Sequence, residues 1–212
     1  TPDARTIAAA LAYHYRGAKQ PLHAAHFAEL AGEQALAAGA LGEAVQQLVD
    51  ALGHQEQLTE PSAASTLARV RTLRLLATSY AALGRHSDCI RTSLQALQEM
   101  GRSFPSQPAA VRSATLTALW SEAQRRLLGS VSHDAASPDL LREYLRLWFA
   151  CSEAFFAMGD TERAFLGSLW AMEAAERLRD MPMQALYSAL VGFVLEAAGL
   201  TLLSRGYCQR AE

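Results

Sequence analysis

The sequence predicts an all-α protein, and its apolar composition is the first reason. The 212 residues include 42 Ala and 32 Leu but only 7 Val and 2 Ile. Ala and Leu favour helices, whereas the β-branched residues that suit pleated strands are scarce. The second reason is that six of the seven prolines stand where a helix would begin. A first helical turn tolerates proline, and a helix interior does not.

Glycine and proline divide the chain into about nine predicted helices. Prolines open the first, second, fourth, sixth, seventh and ninth of them, while the third, fifth and eighth follow directly after Gly39, Gly84 and Gly159. The predicted ranges are 3–17, 21–38, 41–57, 61–83, 86–101, 107–128, 138–158, 161–179 and 182–205. We expect a single domain over 1–212, with weak boundaries at 102–107 and 129–137, where the links are longest.

One spacing of residues recurs along the chain. Around Gly84, small or apolar residues stand seven and four positions before it and five, nine and twelve after it, namely Ala77, Tyr80, Cys89, Ser93 and Ala96. The same frame recurs around Lys19, Gly39, Gly159 and Gly199. It predicts close-contact positions at Ala12, Ala24, Ala28, Ala31, Ala44, Ala51, Ala77, Ala96, Ala164, Ala171 and Ala211.

The frame has the physical content of a helical hairpin. Small residues let two antiparallel helices approach closely, and the central glycine supplies a left-handed residue that ends the first helix. This pattern resembles the tetratricopeptide repeat, whose period is about 34 residues, although the intervals between the five anchors vary. The resemblance implies a right-handed superhelix of antiparallel hairpins, a tetratricopeptide-like α-solenoid.

Several stretches also resemble one family of multidomain proteins. They are LAYHY at 11–15, AAHF at 24–27, AGEQAL at 31–36, LQALQEMGRSFP at 94–105, and the segments 144–172 and 192–199. These are similar to the helical repeats that follow the ATPase module in bacterial class III adenylate/guanylate cyclases with an AAA-type signalling ATPase, and in related serine/threonine kinases. The resemblance implies a regulatory or interaction module of a longer signalling protein, with catalysis elsewhere in the parent.

We expect no enzymatic activity and no cofactor in this chain. The single lysine, Lys19, lacks the glycines and the following Ser or Thr of a phosphate-binding loop. His86, Ser87 and Asp88 have the composition of a hydrolase triad, but neighbours on a turn point in different directions. Ser87 or Asp88 is instead expected to be a first-turn residue of the next helix that satisfies its free amide groups.

Histidine and cysteine do not predict a metal site. His14, His23 and His26 have only Glu29 and Glu33 at helical spacing as further ligands, and we expect none of them to bind metal. The residues Cys89, Cys151 and Cys208 are an odd number without close spacing, which argues against disulfides or zinc. We expect small buried thiols and a cytoplasmic location.

The charge balance argues against nucleic acid as a partner. Eighteen Arg and one Lys stand against 21 acidic residues, which gives a formal charge of −2. Trp120, Trp148 and Trp170 are therefore expected to be packing anchors rather than a platform for bases.

No apolar run reaches the roughly 18 residues of a membrane span. Arg125 and Arg126 are expected to be solvated charges or helix-end charges that complement the helix dipole, rather than phosphate contacts.

A partner-binding face is predicted on the first helix of several hairpins. Arginine and aromatic side chains at helical spacing suit a peptide carboxylate, because the guanidinium is a planar donor that also stacks on rings. The candidate residues are Tyr13, Arg16, Arg71, Arg74, Thr78, Arg146, Phe149, Glu153 and Phe156. The alternative interpretation is an ordinary solvated helix face.

The sequence therefore favours a protein–protein interaction or regulatory scaffold that binds a partner or peptide on a concave face. Self-association through exposed repeat ends is a further expectation. The alternative function is a small-ligand sensor that controls an upstream ATPase, cyclase or kinase.

Overall fold

The protein is all-α in the part of the chain that the structure describes. A computed structural model describes residues 7–58, 62–128, 137–197 and 199–209, and these contain helices and no strand. The helices are α1 (Ala8–Gly17), α2 (Pro21–Ala37), α3 (Leu41–Gln55), α4 (Ala63–Ala82), α5 (His86–Glu99), α6 (Pro108–Leu128), α7 (Pro138–Ala157), α8 (Thr161–Leu178), α9 (Met181–Ala197) and α10 (Thr201–Cys208).

Ten helices in the described residues replace the nine predicted, because the range 182–205 is not one helix. Gly199 adopts a left-handed φ of 78°, and such a residue ends an α-helix. The chain therefore leaves α9 after Ala197 and begins α10 at Thr201. The start of α4 also differs slightly, since Ser62 accepts a hydrogen bond from the Ser65 amide and caps the helix.

The helices form two compact units. Unit 1 is Thr1–Ser103, with α1 to α5, and unit 2 is Phe104–Glu212, with α6 to α10. The division lies inside the 102–107 segment, while residues 129–136 of the second long link lie outside the described structure. Within each unit most helices pack on their neighbours in sequence, as in α1–α2, α2–α3, α4–α5, α7–α8 and α9–α10.

The predicted turn positions are confirmed. All five anchors of the frame adopt a left-handed backbone just after a helix, with φ of 55° at Lys19, 75° at Gly39, 71° at Gly84, 77° at Gly159 and 78° at Gly199. This conformation favours glycine, because glycine has no Cβ that would clash with the backbone. Lys19 adopts it at the one anchor where glycine is missing.

The predicted close-contact positions are confirmed where they are described. Gly32 stands seven residues before the anchor Gly39, and Leu48 stands nine residues after that anchor. A Cβ built on Gly32 would lie 2.6 Å from Leu48 Cγ. The corresponding pair in unit 2 is Gly192 and Cys208, with 3.0 Å between the built Cβ and Sγ. Ten of the eleven predicted alanines are buried, and Ala211 lies outside the described residues. Two hairpins far apart in sequence therefore share one packing relation.

An aromatic cluster forms the centre of unit 2. The Phe104 ring lies 5.3 Å from Trp148, 5.8 Å from Phe155 and 5.4 Å from Trp170, measured between centroids. Trp148 is completely buried. The predicted packing role of Trp148 and Trp170 is thereby confirmed, and the segment before α6 is anchored to its own unit.

The same prediction is wrong for Trp120, whose residue is 66% exposed. Helix α6 packs on α8 and turns its Val111 and Glu122 side inward, since both residues are buried. Leu116 and Trp120, one turn apart, lie on the exposed side.

Cys208 also departs from expectation. Cys89 and Cys151 are buried as predicted, but Cys208 is exposed near the end of α10.

In the described residues, no helix is long and apolar enough to span a bilayer.

Candidate functional site

The predicted partner-binding residues lie on the first helices of three hairpins. Tyr13 and Arg16 are on α1, Arg71, Arg74 and Thr78 on α4, and Arg146, Phe149, Glu153 and Phe156 on α7. The first two groups belong to unit 1 and the third to unit 2.

Tyr13 and Arg16 form an exposed pair at the end of α1. The Arg16 guanidinium carbon lies 5.3 Å from the Tyr13 ring centroid, and the tyrosine is 65% exposed. His14 meets the same ring edge-on at 5.7 Å. Arg16 also lies 3.8 Å from the Asp50 carboxylate, which is a long ion pair. Tyr13 and Arg16 therefore offer a flat aromatic surface beside a guanidinium that is only weakly engaged by Asp50.

Arg71 is already bound by carboxylates of its own unit. Its Nε lies 3.1 Å from Glu29 Oε1, and its Nη2 lies 2.9 Å from Glu33 Oε2. A peptide carboxylate would have to displace one of them. The same helix carries Arg74 and Thr78, and the Thr78 hydroxyl donates to the Arg74 carbonyl oxygen. Arg71 is consequently better placed to hold α4 on α2 than to bind a partner.

The group on α7 is mixed. The Arg146 guanidinium lies 3.4 Å from Glu143 within the same helix. Phe149 and Glu153 are exposed, while Phe156 is half-buried. This helix therefore presents one exposed ring with charges of both signs beside it.

A buried polar network lies behind Arg71. The Thr72 hydroxyl lies 2.6 Å from Glu29 Oε2 and accepts from Gln55 Nε2 at 2.9 Å. Burial raises the pKa of the Glu29 carboxyl, while the Thr72 hydrogen bond and the Arg71 charge oppose that shift. These contacts connect α2, α3 and α4, so the network fixes the core of unit 1.

The three histidines take part in ring contacts. His23 stacks on Tyr15 at 4.9 Å, and His26 meets Phe27 edge-on at 5.1 Å. Among the residues that the structure describes, no three His, Cys, Asp or Glu side chains are grouped to hold a metal. Glu29 and Glu33, the only carboxylates at suitable spacing, bind Arg71 instead.

The His86-Ser87-Asp88 segment forms the first turn of α5. Asp88 binds the guanidinium groups of both Arg85 and Arg91. The predicted position in the first turn is confirmed, but the predicted capping is not: the helix has no side-chain hydrogen bond at its N-cap, and the Asp88 carboxylate is held by arginines.

Arg125 is not a solvated charge, which corrects one of the two expectations, although it does stand near the end of α6. Its side chain is only 17% exposed and lies 2.6 Å from Glu122, 3.4 Å from Glu173 and 3.6 Å from Glu176. Two of these glutamates belong to α8, so the arginine joins α6 to its neighbour. The Arg126 side chain lies outside the described part of the structure.

Sequence reasoning missed a second group of residues, in unit 1. Gln55, Glu56, Arg69 and Glu99 line a cavity together with several apolar side chains. They come from three helices and the residue after α3, and their sequence spacing carries no signal that they meet. The structure leaves Leu22, a large apolar residue, mostly exposed beside them.

Comparison with known proteins gives no family assignment. No protein-family model matches the chain, and no curated protein matches it significantly.

Proposed function

We propose that this chain is a protein-interaction module that binds an extended peptide segment carrying carboxylates and apolar side chains. The observation that carries the proposal is the exposed Tyr13–Arg16 pair on α1. Tyrosine and arginine are enriched among the residues that dominate binding energy at protein interfaces. Phe149 and Arg146 on α7 supply a second exposed ring and cation in unit 2.

The proposed scaffold is a tetratricopeptide-like superhelix whose repeated hairpins present such residues on a concave face. The left-handed anchors and the shared packing of Gly32 on Leu48 and Gly192 on Cys208 support this arrangement. In repeat proteins each repeat contacts mainly its neighbours, which leaves an extended surface for recognition.

The proposed context is regulation within a cytoplasmic signalling protein. The resemblance of 94–105 and 144–172 to the repeats of cyclase-linked ATPases supports it. The gene sequence upstream of Thr1 is expected to encode a P-loop ATPase module. A parent protein without any signalling module would contradict this context.

Selection of binding peptides from a random 12-residue display library tests the interaction function. Enriched peptides are expected to carry Asp or Glu next to aromatic or aliphatic residues. Replacing Tyr13 and Arg16 together by alanine should weaken their binding about five- to thirtyfold, since loss of such contacts costs about 1 to 2 kcal/mol. Both side chains are exposed, so the melting temperature should stay the same.

The control changes an exposed apolar residue and an exposed arginine elsewhere in unit 1. Leu83 and Arg91 are both exposed, and the Leu83→Ala, Arg91→Ala variant should bind the selected peptides normally. Selection of no peptide, or equal binding by both double variants, would contradict the proposal. Arg71→Glu is a poor probe, because it would place a third carboxylate beside Glu29 and Glu33.

A further inference from the structure

A cavity of about 760 Å³ lies in unit 1. Its lining comes from α2, the end of α3, the start of α4 and the end of α5, with Leu22, Gln55, Ala68 and Glu99 as representatives. Cavities of about 300 to 1,000 Å³ are typical of small-molecule sites. The volume therefore suits a metabolite rather than a protein segment.

One part of the lining is apolar. Leu22, Ala25, Leu58, Ala64 and Ala68 contribute methyl and methylene groups. Leu22 stays largely exposed to solvent although it stands at the start of a packed helix. A ligand with an aliphatic or aromatic body would cover this surface and gain the free energy of its burial.

The charged part of the lining has an excess of carboxylate. Arg69 Nε lies 2.6 Å from Glu99 Oε1, and Arg69 Nη2 lies 3.4 Å from Glu56 Oε1. One guanidinium thus serves two carboxylates. An anionic ligand would compete with both of them for Arg69, whereas a cation would gain from the uncompensated negative charge. Glu56 is the freer partner, because its contact is longer and its side chain is largely exposed.

Gln55 closes the α3 end of the lining. Its amide nitrogen donates to the Thr72 hydroxyl at 2.9 Å, and that hydroxyl lies 2.6 Å from Glu29 Oε2 and 3.0 Å from the Ala68 carbonyl oxygen. The amide oxygen is buried, so it does not face the cavity. The polar network thus holds this side chain in place, and the charged part of the lining consists of Arg69, Glu56 and Glu99.

We propose that this cavity binds a small primary amine with an apolar body, its ammonium group lying between Glu56 and Glu99. The apolar walls and the carboxylate excess together select this chemical class. The inference is independent of the proposed peptide recognition, which rests on the exposed Tyr13–Arg16 pair.

Three probes of equal chain length separate charge from apolar contact. They are n-octylamine, which is protonated at pH 7, 1-octanol, which is neutral, and octanoate, which is anionic. In calorimetric titrations of the whole chain, the amine should bind at least about tenfold more tightly than the alcohol. Octanoate should bind more weakly than either.

Substitutions locate the site. Glu56→Gln should weaken octylamine binding about fivefold and leave octanol binding unchanged. The control Glu43→Gln removes the same charge from an exposed position on α3 outside the lining and should change neither. Ala68→Leu, which fills part of the cavity, should abolish the binding of both probes without lowering the melting temperature of the free protein.

The proposal is overturned if none of the three probes binds, if all bind equally, or if octanoate binds best. It is also overturned if Glu43→Gln weakens the amine as much as Glu56→Gln, or if Ala68→Leu still binds it.

Discussion

Replacing Gly167 by alanine is expected to destabilise unit 2 by about 2 kcal/mol. Helix propensity alone predicts the opposite sign, because alanine stabilises a helix interior over glycine by about 1 kcal/mol. The packing decides: a Cβ at this position would lie 2.5 Å from Trp148 Cζ3 and 2.6 Å from Cε3. That indole is completely buried and rigid, so it has no room to yield.

The measurement is the free energy of unfolding in urea, followed by tryptophan fluorescence. All three tryptophans, Trp120, Trp148 and Trp170, lie in unit 2, so the signal reports on that unit. The control Gly206→Ala lies on α10, where nothing stands within 4 Å of the added Cβ. It should be neutral or stabilising by up to about 1 kcal/mol. A stabilised Gly167→Ala protein would show that α7 and α8 are not in this close contact.

Replacing Arg125 by methionine should cost about 3 to 5 kcal/mol, the largest effect that we predict. The Glu122 side chain is only 3% exposed and lies 2.6 Å from the Arg125 guanidinium. Removing one member of a buried ion pair leaves the other charge buried with one partner fewer, and this penalty exceeds the net value of the pair. Arg125 also loses its contacts to Glu173 and Glu176 of α8.

An exposed pair of the same geometry provides the control. Arg142 lies 2.6 Å from Asp139 at the same i,i+3 spacing, but the two side chains are 56% and 68% exposed. Arg142→Met should therefore change the unfolding free energy by less than about 1 kcal/mol. In addition, Glu122→Gln in the Arg125→Met background should restore part of the loss. Equal effects at positions 125 and 142 would contradict the buried-pair account.

Local requirements made the helices and their turns predictable from the sequence. A left-handed residue after a helix is a local need, and glycine meets it most cheaply, so Gly39, Gly84, Gly159 and Gly199 marked their turns correctly. The small residues of the frame were predictable because hairpin partners are close in sequence. The prediction of one helix over 182–205 was wrong, because the frame itself had identified Gly199 as a turn position.

The neighbours of α6 were not predictable in this way. The hairpin pattern places each helix against the next, whereas α6 packs on α8. That arrangement exposes Trp120 and buries Arg125, the reverse of the sequence expectation for both. Side chains of the same types occur in solvated and buried positions, so only the tertiary neighbour decides between them.

The candidate sites show the same limit. Helical spacing placed Tyr13 and Arg16 together, as i,i+3 neighbours on one face. It did not reveal that Arg71 is bound by carboxylates 38 and 42 positions earlier in the chain, or that Glu56, Arg69 and Glu99 share a cavity.

The hairpin frame underlies both the fold and the proposed function, and a disulfide tests it most directly. In a disulfide, the Cβ of one cysteine lies about 3 Å from the sulfur of the other, and a Cβ built on Gly192 lies 3.0 Å from Cys208 Sγ. We predict that Gly192→Cys forms a bond to Cys208 on mild oxidation, while Phe193→Cys, at the exposed neighbouring position, does not. Mass spectrometry of the unreduced digest should show the peptides containing positions 192 and 208 linked. Recovery of both thiols free in folded, oxidised Gly192→Cys protein would contradict the hairpin.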